Sequence, residues 1–202
     1  IRRGGRHVFH RAVRLQFRLA APHRQQDGFI RNPLPGIDAN PLNTNTINGT
    51  IRAVPFGEVE LTINGYYDWV DGVNIPYASV TGPRDYNRNV QLNTANRVEY
   101  RYRGVNARLE VRVDSIATRI SLIGAWDARS GVSPGTDADF GATPLDIARL
   151  SGSDELRTTT AELRFDSEWS DQLSTLFGLF YSHETTSAQQ TISILPPFAP
   201  IV

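Results

Sequence analysis

Hydrophobic and polar residues alternate along most of this chain. In residues 13–21, Val13, Leu15, Phe17, Leu19 and Ala21 interleave with Arg14, Gln16 and Arg18. In residues 47–53, Ile47, Gly49, Ile51 and Ala53 interleave with Asn48, Thr50 and Arg52. Residues 59–67 place Val59, Leu61, Ile63, Gly65 and Tyr67 against Glu60, Thr62, Asn64 and Tyr66. Residues 105–113 place Val105, Ala107, Leu109, Val111 and Val113 against Asn106, Arg108, Glu110 and Arg112. Such runs predict strands, because successive side chains of a strand point to opposite faces. Residues 118–127 alternate less cleanly, since Ile123 and Ala125 interrupt the polar face opposite Ile120, Leu122, Gly124 and Trp126. Leu163 and Phe165 alternate with Glu162, Arg164 and Asp166, whereas Leu173 to Tyr181 is hydrophobic on nearly every residue. The whole predicts an all-β fold of about seven strands. In the last run Leu173, Phe177, Leu179 and Tyr181 would share the apolar face with Leu176, Gly178 and Phe180 opposite, but both sets are apolar and the pattern leaves the opposite parity open. One short helix is expected in "TPLDIARL", with Thr143 as cap, Pro144 in its first turn and Asp146 near its N-terminus.

The connections between these runs alternate in length. Residues 22–46, 70–97 and 128–156 are long and polar, whereas 54–58, 114–117 and 167–172 are short. An antiparallel up-and-down meander obeying that rule has every short turn at one edge and every long loop at the other. Short turns on one side and long loops on the other are the layout of outer-membrane barrels. Alternation by itself also suits the half-buried sheets of a soluble β-sandwich. Greek-key sandwiches, however, mix connection lengths at both ends. Aromatic residues add to the barrel reading. Tyr66, Tyr67, Trp69, Trp126 and Tyr181 fall at the long-loop ends of strands, and Phe56 and Trp169 near the short turns. Two such belts match the interfacial girdles of membrane barrels. Tyr100 and Tyr102 have the parity of the polar face.

Composition removes several classes. The net charge is zero, so no global positive field points to nucleic acid. Cysteine is absent, which excludes disulfide scaffolds and cysteine-ligated metal sites. No run of about 18 apolar residues exists, which excludes a transmembrane helix but not transmembrane strands. Methionine is absent too, so a processed chain or a fragment is expected.

"AELRFDSEWSDQLSTLFGLFYSHETT" resembles a strand pair in the barrel of TonB-dependent outer-membrane receptors. The matching residues are Glu162, Leu163 and Arg164, then Leu176, Gly178, Leu179, Phe180, Tyr181 and Glu184. "RLAAPHRQQDGFIRN" is similar to a strand exit of the same family, through Arg24, Asp27, Gly28, Phe29, Ile30 and Asn32. "NGTIRAVPFGEVELTINGYYDWVDG" looks like the hairpin that follows, with Pro55 in its turn. The resemblance spans about residues 13–195. It implies residues 13–202 as part of a 22-stranded transmembrane β-barrel in the outer membrane of a Gram-negative bacterium. It also implies a plug domain and closing strands elsewhere, and active import of a ferric siderophore or similar nutrient. The implied partners are outer-membrane lipid, TonB with its inner-membrane energising complex, and a small-molecule cargo, with no nucleic acid and no cofactor. Residues 1–12, "IRRGGRHVFHRA", depart from the pattern. The alternatives are a soluble or secreted β-sandwich binding module, for example one that binds glycans, and a porin-type barrel.

Candidate chemistry is sparse. His7 and His10 have ligand spacing if helical but lack a third ligand. Asp137 and Asp139 have the spacing that opens a calcium loop, but the downstream glutamate is missing, and an exposed loop is expected there. No nucleophile elbow occurs, and no catalytic set is assigned. Arg14, Arg18, Arg52, Glu60, Arg108, Glu110, Arg112, Glu162 and Arg164 are expected to face the barrel lumen, with cross-strand pairing between opposite charges. Ligand contacts are expected from Tyr77, Arg84, Tyr86 and Arg88 in one long loop. There arginine can clamp anionic groups, and tyrosine offers a flat face with a hydroxyl.

Overall fold

The fold was obtained as a computed structural model, which describes residues 14–32, 37–38, 40–73, 90, 92–139 and 147–194. Its strands are β1 (Arg14–Ala20), β2 (His23–Gln26), β3 (Arg31–Asn32), β4 (Ile37–Asp38), β5 (Leu42–Phe56) and β6 (Val59–Val73). They continue with β7 (Arg97–Val113), β8 (Thr118–Asp137), β9 (Ala148–Ser170) and β10 (Leu173–Ile194). One sheet runs β1-β5-β6-β7-β8-β9-β10, with β2 also on β5, and every pairing is antiparallel. It is the expected seven-line meander. The β3–β4 ladder is the only other sheet among the described residues, so one layer of strands stands without a second layer across it.

β1 and β2 form one line. Ala20 faces Asn48 and His23 faces Asn45, so the register continues across the gap. Pro22 interrupts the ladder because it has no N–H, yet its carbonyl accepts from the Thr46 amide at 3.0 Å. The strand therefore runs past the proline at which the sequence pattern ended it. Pro55 likewise lies inside β5, at the register shift between Ala53 and Phe56. The short turns tighten to residues 57–58 and 171–172, and a single 3₁₀ turn (Asp114–Ile116) closes β7–β8 with Ala117 at φ 45°.

The strands are longer than the alternation predicted. β9 has 23 residues, about 75 Å when extended, against the 9–11 needed to cross a bilayer. Much of residues 128–156, expected as loop, is the paired upper part of β8 and β9. In that upper part both faces are polar, which erases the period-two signal. The expected helix is also corrected. Ala148–Leu150 are strand, with Arg149 opposite Asp137 and Leu150 opposite Thr136, while residues 143–146 lie outside the described residues.

One register aligns the faces across all lines. Leu15, Ala53, Leu61, Leu109, Leu122, Leu163 and Leu179 pair in succession from edge to edge. The neighbouring row runs Phe17, Ile51, Ile63, Ala107, Gly124, Ala161 and Tyr181. From Val59 to Tyr67 this band measures roughly 27 Å along the strand. Phe177 pairs with Phe165, their rings 6.1 Å apart, and this pairing decides the parity of the greasy β10. Leu176, Gly178 and Phe180 accordingly share the other face with Asp166, Arg164 and Glu162. Leu173 sits at the register shift that opens β10. The band is exposed: Phe17 is 72% and Leu122 51% accessible. The buried apolar residues among those described are Val90, Leu92, Val98 and Ala128, none from the leucine row.

The aromatic expectation needs one correction. Tyr67, Trp69, Trp126 and Tyr181 are on the apolar face, but Tyr66 is on the polar one, opposite Gly104. Gly104 has a reason to be glycine. A Cβ there would stand 2.6 Å from the Tyr66 ring, which crosses the position to donate its hydroxyl to Asp127 at 2.6 Å. Gly131 repeats the device one strand on, under Tyr100 and beside Asp154. Gly104→Ala should therefore cost about 1–3 kcal/mol through overpacking, read by urea unfolding of the full-length protein. In a Tyr66→Ala background most of that cost should vanish; an equal cost in both backgrounds would refute the packing argument.

Candidate functional site

The polar face carries all nine charged residues that the sequence singled out. Arg14 and Arg18 lie on β1, Arg52 on β5, Glu60 on β6, Arg108, Glu110 and Arg112 on β7, and Glu162 and Arg164 on β9. Arg52 grips Glu60 across the β5–β6 ladder with two bonds, 2.5 and 2.7 Å. The other two pairs differ from the cross-strand expectation. Arg108 bonds Glu110 at 2.8 Å, and Arg164 bonds Glu162 at 2.5 and 2.8 Å, each along its own strand. The register explains the need for them. Glu60 stands directly opposite Glu110 and Arg112 opposite Arg119, like-charge placements that are unfavourable unless neutralised nearby. These pairs are solvent-exposed, so water screens them and their contribution to stability is small. Higher on this face a polar chain crosses three strands: Thr50 donates to Asn64 at 2.8 Å, and Asn64 to Asn106 at 2.9 Å.

Above that chain the face becomes rich in tyrosine. Tyr100 and Tyr102 stand beside Arg129, which bonds Asp154 at 2.5 Å, while Tyr66 reaches Asp127 on the same strand. Tyr100 and Tyr102 have ring centroids 6.1 Å apart. This cluster offers phenol edges, flat rings and one guanidinium beside carboxylates. Sequence reading missed it, because its members lie on different strands and meet only through the register.

At the long-loop edge a second construction ties the connections together. Gly28, at φ +90°, turns the chain so that the Asn40 carboxamide accepts from the Phe29 and Ile30 amides at 2.9 and 2.8 Å. A Cβ on Gly28 would collide with Asn40 at 2.8 Å. The chain then delivers Asn32, 5% exposed, to Leu92. Its amide donates to the Leu92 carbonyl at 2.7 Å, and its oxygen accepts the Leu92 N–H at 3.1 Å. Val90 bonds the Arg31 carbonyl, and Val90 and Leu92 pack with Ile30. Further along, the buried Asn96 accepts from the Asp137 amide at 2.7 Å, and the Asp137 carboxylate accepts from Asn93 at 3.0 Å. Asp137 is 1% exposed, so the exposed aspartate loop expected there is corrected. Asp137 holds the loop by hydrogen bonds, as Asp139 does through the amides of Ile147 and Ala148 at 2.8 and 3.0 Å.

Between this clasp and the strand ends lies a cavity of about 300 Å³, lined by Asn32, Asn43, Asp71, Leu92, Asn96 and Arg97 among others. Arg97 spans its mouth, bonding Asp71 at 3.0 and 2.8 Å. The Asp71 carboxylate raises the Arg97 guanidinium above its usual range, first by hydrogen bonding and then by charge. Tyr77, Arg84, Tyr86 and Arg88, expected to contact ligand, lie outside the described residues, as do His7 and His10.

No family model matches the chain, and no curated protein does either. Among solved structures it is similar to the ferric yersiniabactin uptake receptor FyuA from Yersinia pestis, with a TM-score of 0.67 and 12% sequence identity. The match covers 90% of this chain and 28% of that one. At that identity the likeness is one of fold: this meander corresponds to part of a transport receptor's β-barrel.

The clasp is testable. Asn32→Ala removes both bonds to Leu92 from a buried position, a loss of about 1–3 kcal/mol. Faster amide exchange at Leu92 and quicker proteolysis within residues 90–96 are the expected outcome. Unchanged exchange would show that other contacts hold the segment.

Proposed function

We propose that this chain is part of the wall of a 22-stranded outer-membrane barrel of the TonB-dependent receptor kind, which imports a small-molecule cargo such as a ferric siderophore. The observation that carries the reading is the exposed band of edge-to-edge apolar rows on a single-layer sheet. An apolar face of this extent is not left in water by a soluble protein. In a sandwich it would be covered by a second sheet, and the only other sheet among the described residues is the two-residue β3–β4 ladder. Hydrocarbon is the remaining cover. Tyr67, Trp69 and Trp126 then sit toward its outer margin, Tyr181 lies within it beside the leucine row, and Phe56 and Trp169 stand near its inner margin. The likeness to a siderophore receptor's barrel supports the same reading.

In this arrangement the face bearing Arg14, Arg18, Arg52, Glu60, Arg108, Glu110, Arg112, Glu162 and Arg164 lines the lumen and meets a plug. The short turns are periplasmic, and the clasped loops stand outside the cell. Cargo docks among those loops, with Tyr77, Arg84, Tyr86 and Arg88 as contacts and the Tyr66–Tyr100–Tyr102 cluster below. TonB, energised from the inner membrane, then shifts the plug, and the cargo passes. The wall residues have positional roles, and no chemical step is assigned to them.

Two experiments bear on this. Leu122→Arg sets a charge in the middle of the leucine row and should cost about 2–4 kcal/mol of folding stability in vesicles. Thr160→Arg, on the polar face of the adjacent strand, should cost far less. Equal costs would mean that both faces meet the same solvent and would sink the barrel reading. For transport, iron-chelate uptake by the full-length protein should stop when the inner-membrane energising complex is deleted. Continued uptake would favour a passive porin.

A further inference from the structure

Within the aromatic margin, in the rows that carry Tyr67 and Trp69, the outward face turns cationic. The row next to Trp126 runs Tyr67, Arg103, Ala128 and Arg157 across four strands. Arg103 and Arg157 thus flank the same small residue, on strands roughly 10 Å apart. Ala128 is only 6% exposed, at the floor of a notch whose two sides are arginines. Arg101 stands one row further out, on the same strand as Arg103 and the same face.

The charges around the notch are unequally matched. Asp71 and Glu99 engage Arg97, the latter at 3.1 Å, and Glu99 reaches Arg101 only at 3.9 Å. Glu155 holds Arg157 through its Nε and Nη2 atoms, at 3.0 and 2.6 Å. Arg103 has no carboxylate partner among the described residues. Its guanidinium lies 5.8 Å from the Trp126 ring centroid, a cation–π placement that leaves the N–H edges for another acceptor.

We infer that this notch is a seat for the phosphate of a membrane lipid, a headgroup phosphate of the outer leaflet held between Arg103 and Arg157 above Ala128. The inference rests on the outer-membrane reading, which sets this row at the height of the headgroups. The grounds for a lipid are continuity and charge. The apolar band below would hold the acyl chains, the Trp126 indole would mark the boundary, and the unmatched cation lies where a phosphate would be. Arginine's forked donors suit phosphate oxygens. Arg103 gives the notch its charge, Arg157 closes its second side, and Trp126 positions Arg103.

The test uses the full-length protein in nanodiscs of phosphatidylcholine doped with phosphatidic acid, whose headgroup is a phosphate monoester. Native mass spectrometry reads the lipid retained. Wild type should retain phosphatidic acid in preference to phosphatidylcholine. The double variant Arg103→Ala, Arg157→Ala should lose roughly ten- to thirtyfold of that preference. The double lysine variant, which keeps both charges, should retain most of it. Equal retention by wild type and the alanine variant would overturn the seat, as would a loss of stability with unchanged retention, which marks Arg103 as a packing partner of Trp126 alone. Displacement of the lipid by millimolar inorganic phosphate would also overturn it, assigning the notch to free anions. These failures leave the barrel reading standing. A protein that never enters the nanodisc would refute both.

Discussion

A single pairing register carried through seven strand lines is the constraint on which everything else in this structure depends. Side chains alternate with a period of two, so a slip of one residue would exchange the faces of an entire strand. Leu15, Ala53, Leu61, Leu109, Leu122, Leu163 and Leu179 lie in one row only because every pairing from β1 to β10 agrees. The same agreement opposes Glu60 to Glu110 and Arg112 to Arg119. Those like-charge contacts are tolerated, with Arg52 and Arg108 beside the glutamates. Keeping the apolar face whole outweighs the local electrostatics, since exposed ion pairs are screened by solvent, whereas each apolar side chain turned to the wrong face costs about 1.5–3 kcal/mol.

The register also organises the sheet along its length. Through the leucine row one face is apolar and the other charged. From the row of Tyr67, Arg103, Ala128 and Arg157 upward, arginines enter the formerly apolar face, and the strands continue as paired ladders well beyond. Loops at that edge are held by buried amides and carboxylates: Asn32 on Leu92, Asn96 and Asp137 on each other, Asn40 on the turn at Gly28. A recognition surface made of loops needs such anchorage, because a loop that has to be ordered on binding weakens the affinity by the ordering cost. Among the described residues, β1 and β10 are the outer lines of the sheet.

Much of this was legible beforehand, and the misses share one cause. The strands of the apolar band, their alternating faces and the alternation of short and long connections follow from local pattern, whereas the parity of Phe177, Leu179 and Tyr181 was decided by their pairing with β9. The upper halves of β8 and β9 do not, because Ser130, Gly131, Ser133, Pro134 and Gly135 read as loop wherever no apolar partner marks a face. Pro22 read as a stop, although an edge line can lose one donor and keep its register. Tyr66 read as a belt residue because it sits beside Tyr67, and adjacent strand positions point in opposite directions. Asp137 read as exposed because no sequence period reveals that Asn96 and Asn93 would meet it.

The sequence by itself determined an all-β meander with one apolar and one charged face, because a period of two is written residue by residue. The charged residues of the polar face could be named from that period alone. Only the tertiary structure decided which of them neutralise one another, why Gly104 and Gly131 must be glycines beneath tyrosines, and how Asn32 closes a cavity with a segment 60 residues away. Those facts depend on which residues of separate strands stand opposite. Register is a relation between strands, fixed by all their pairings together, and no single stretch of chain contains it.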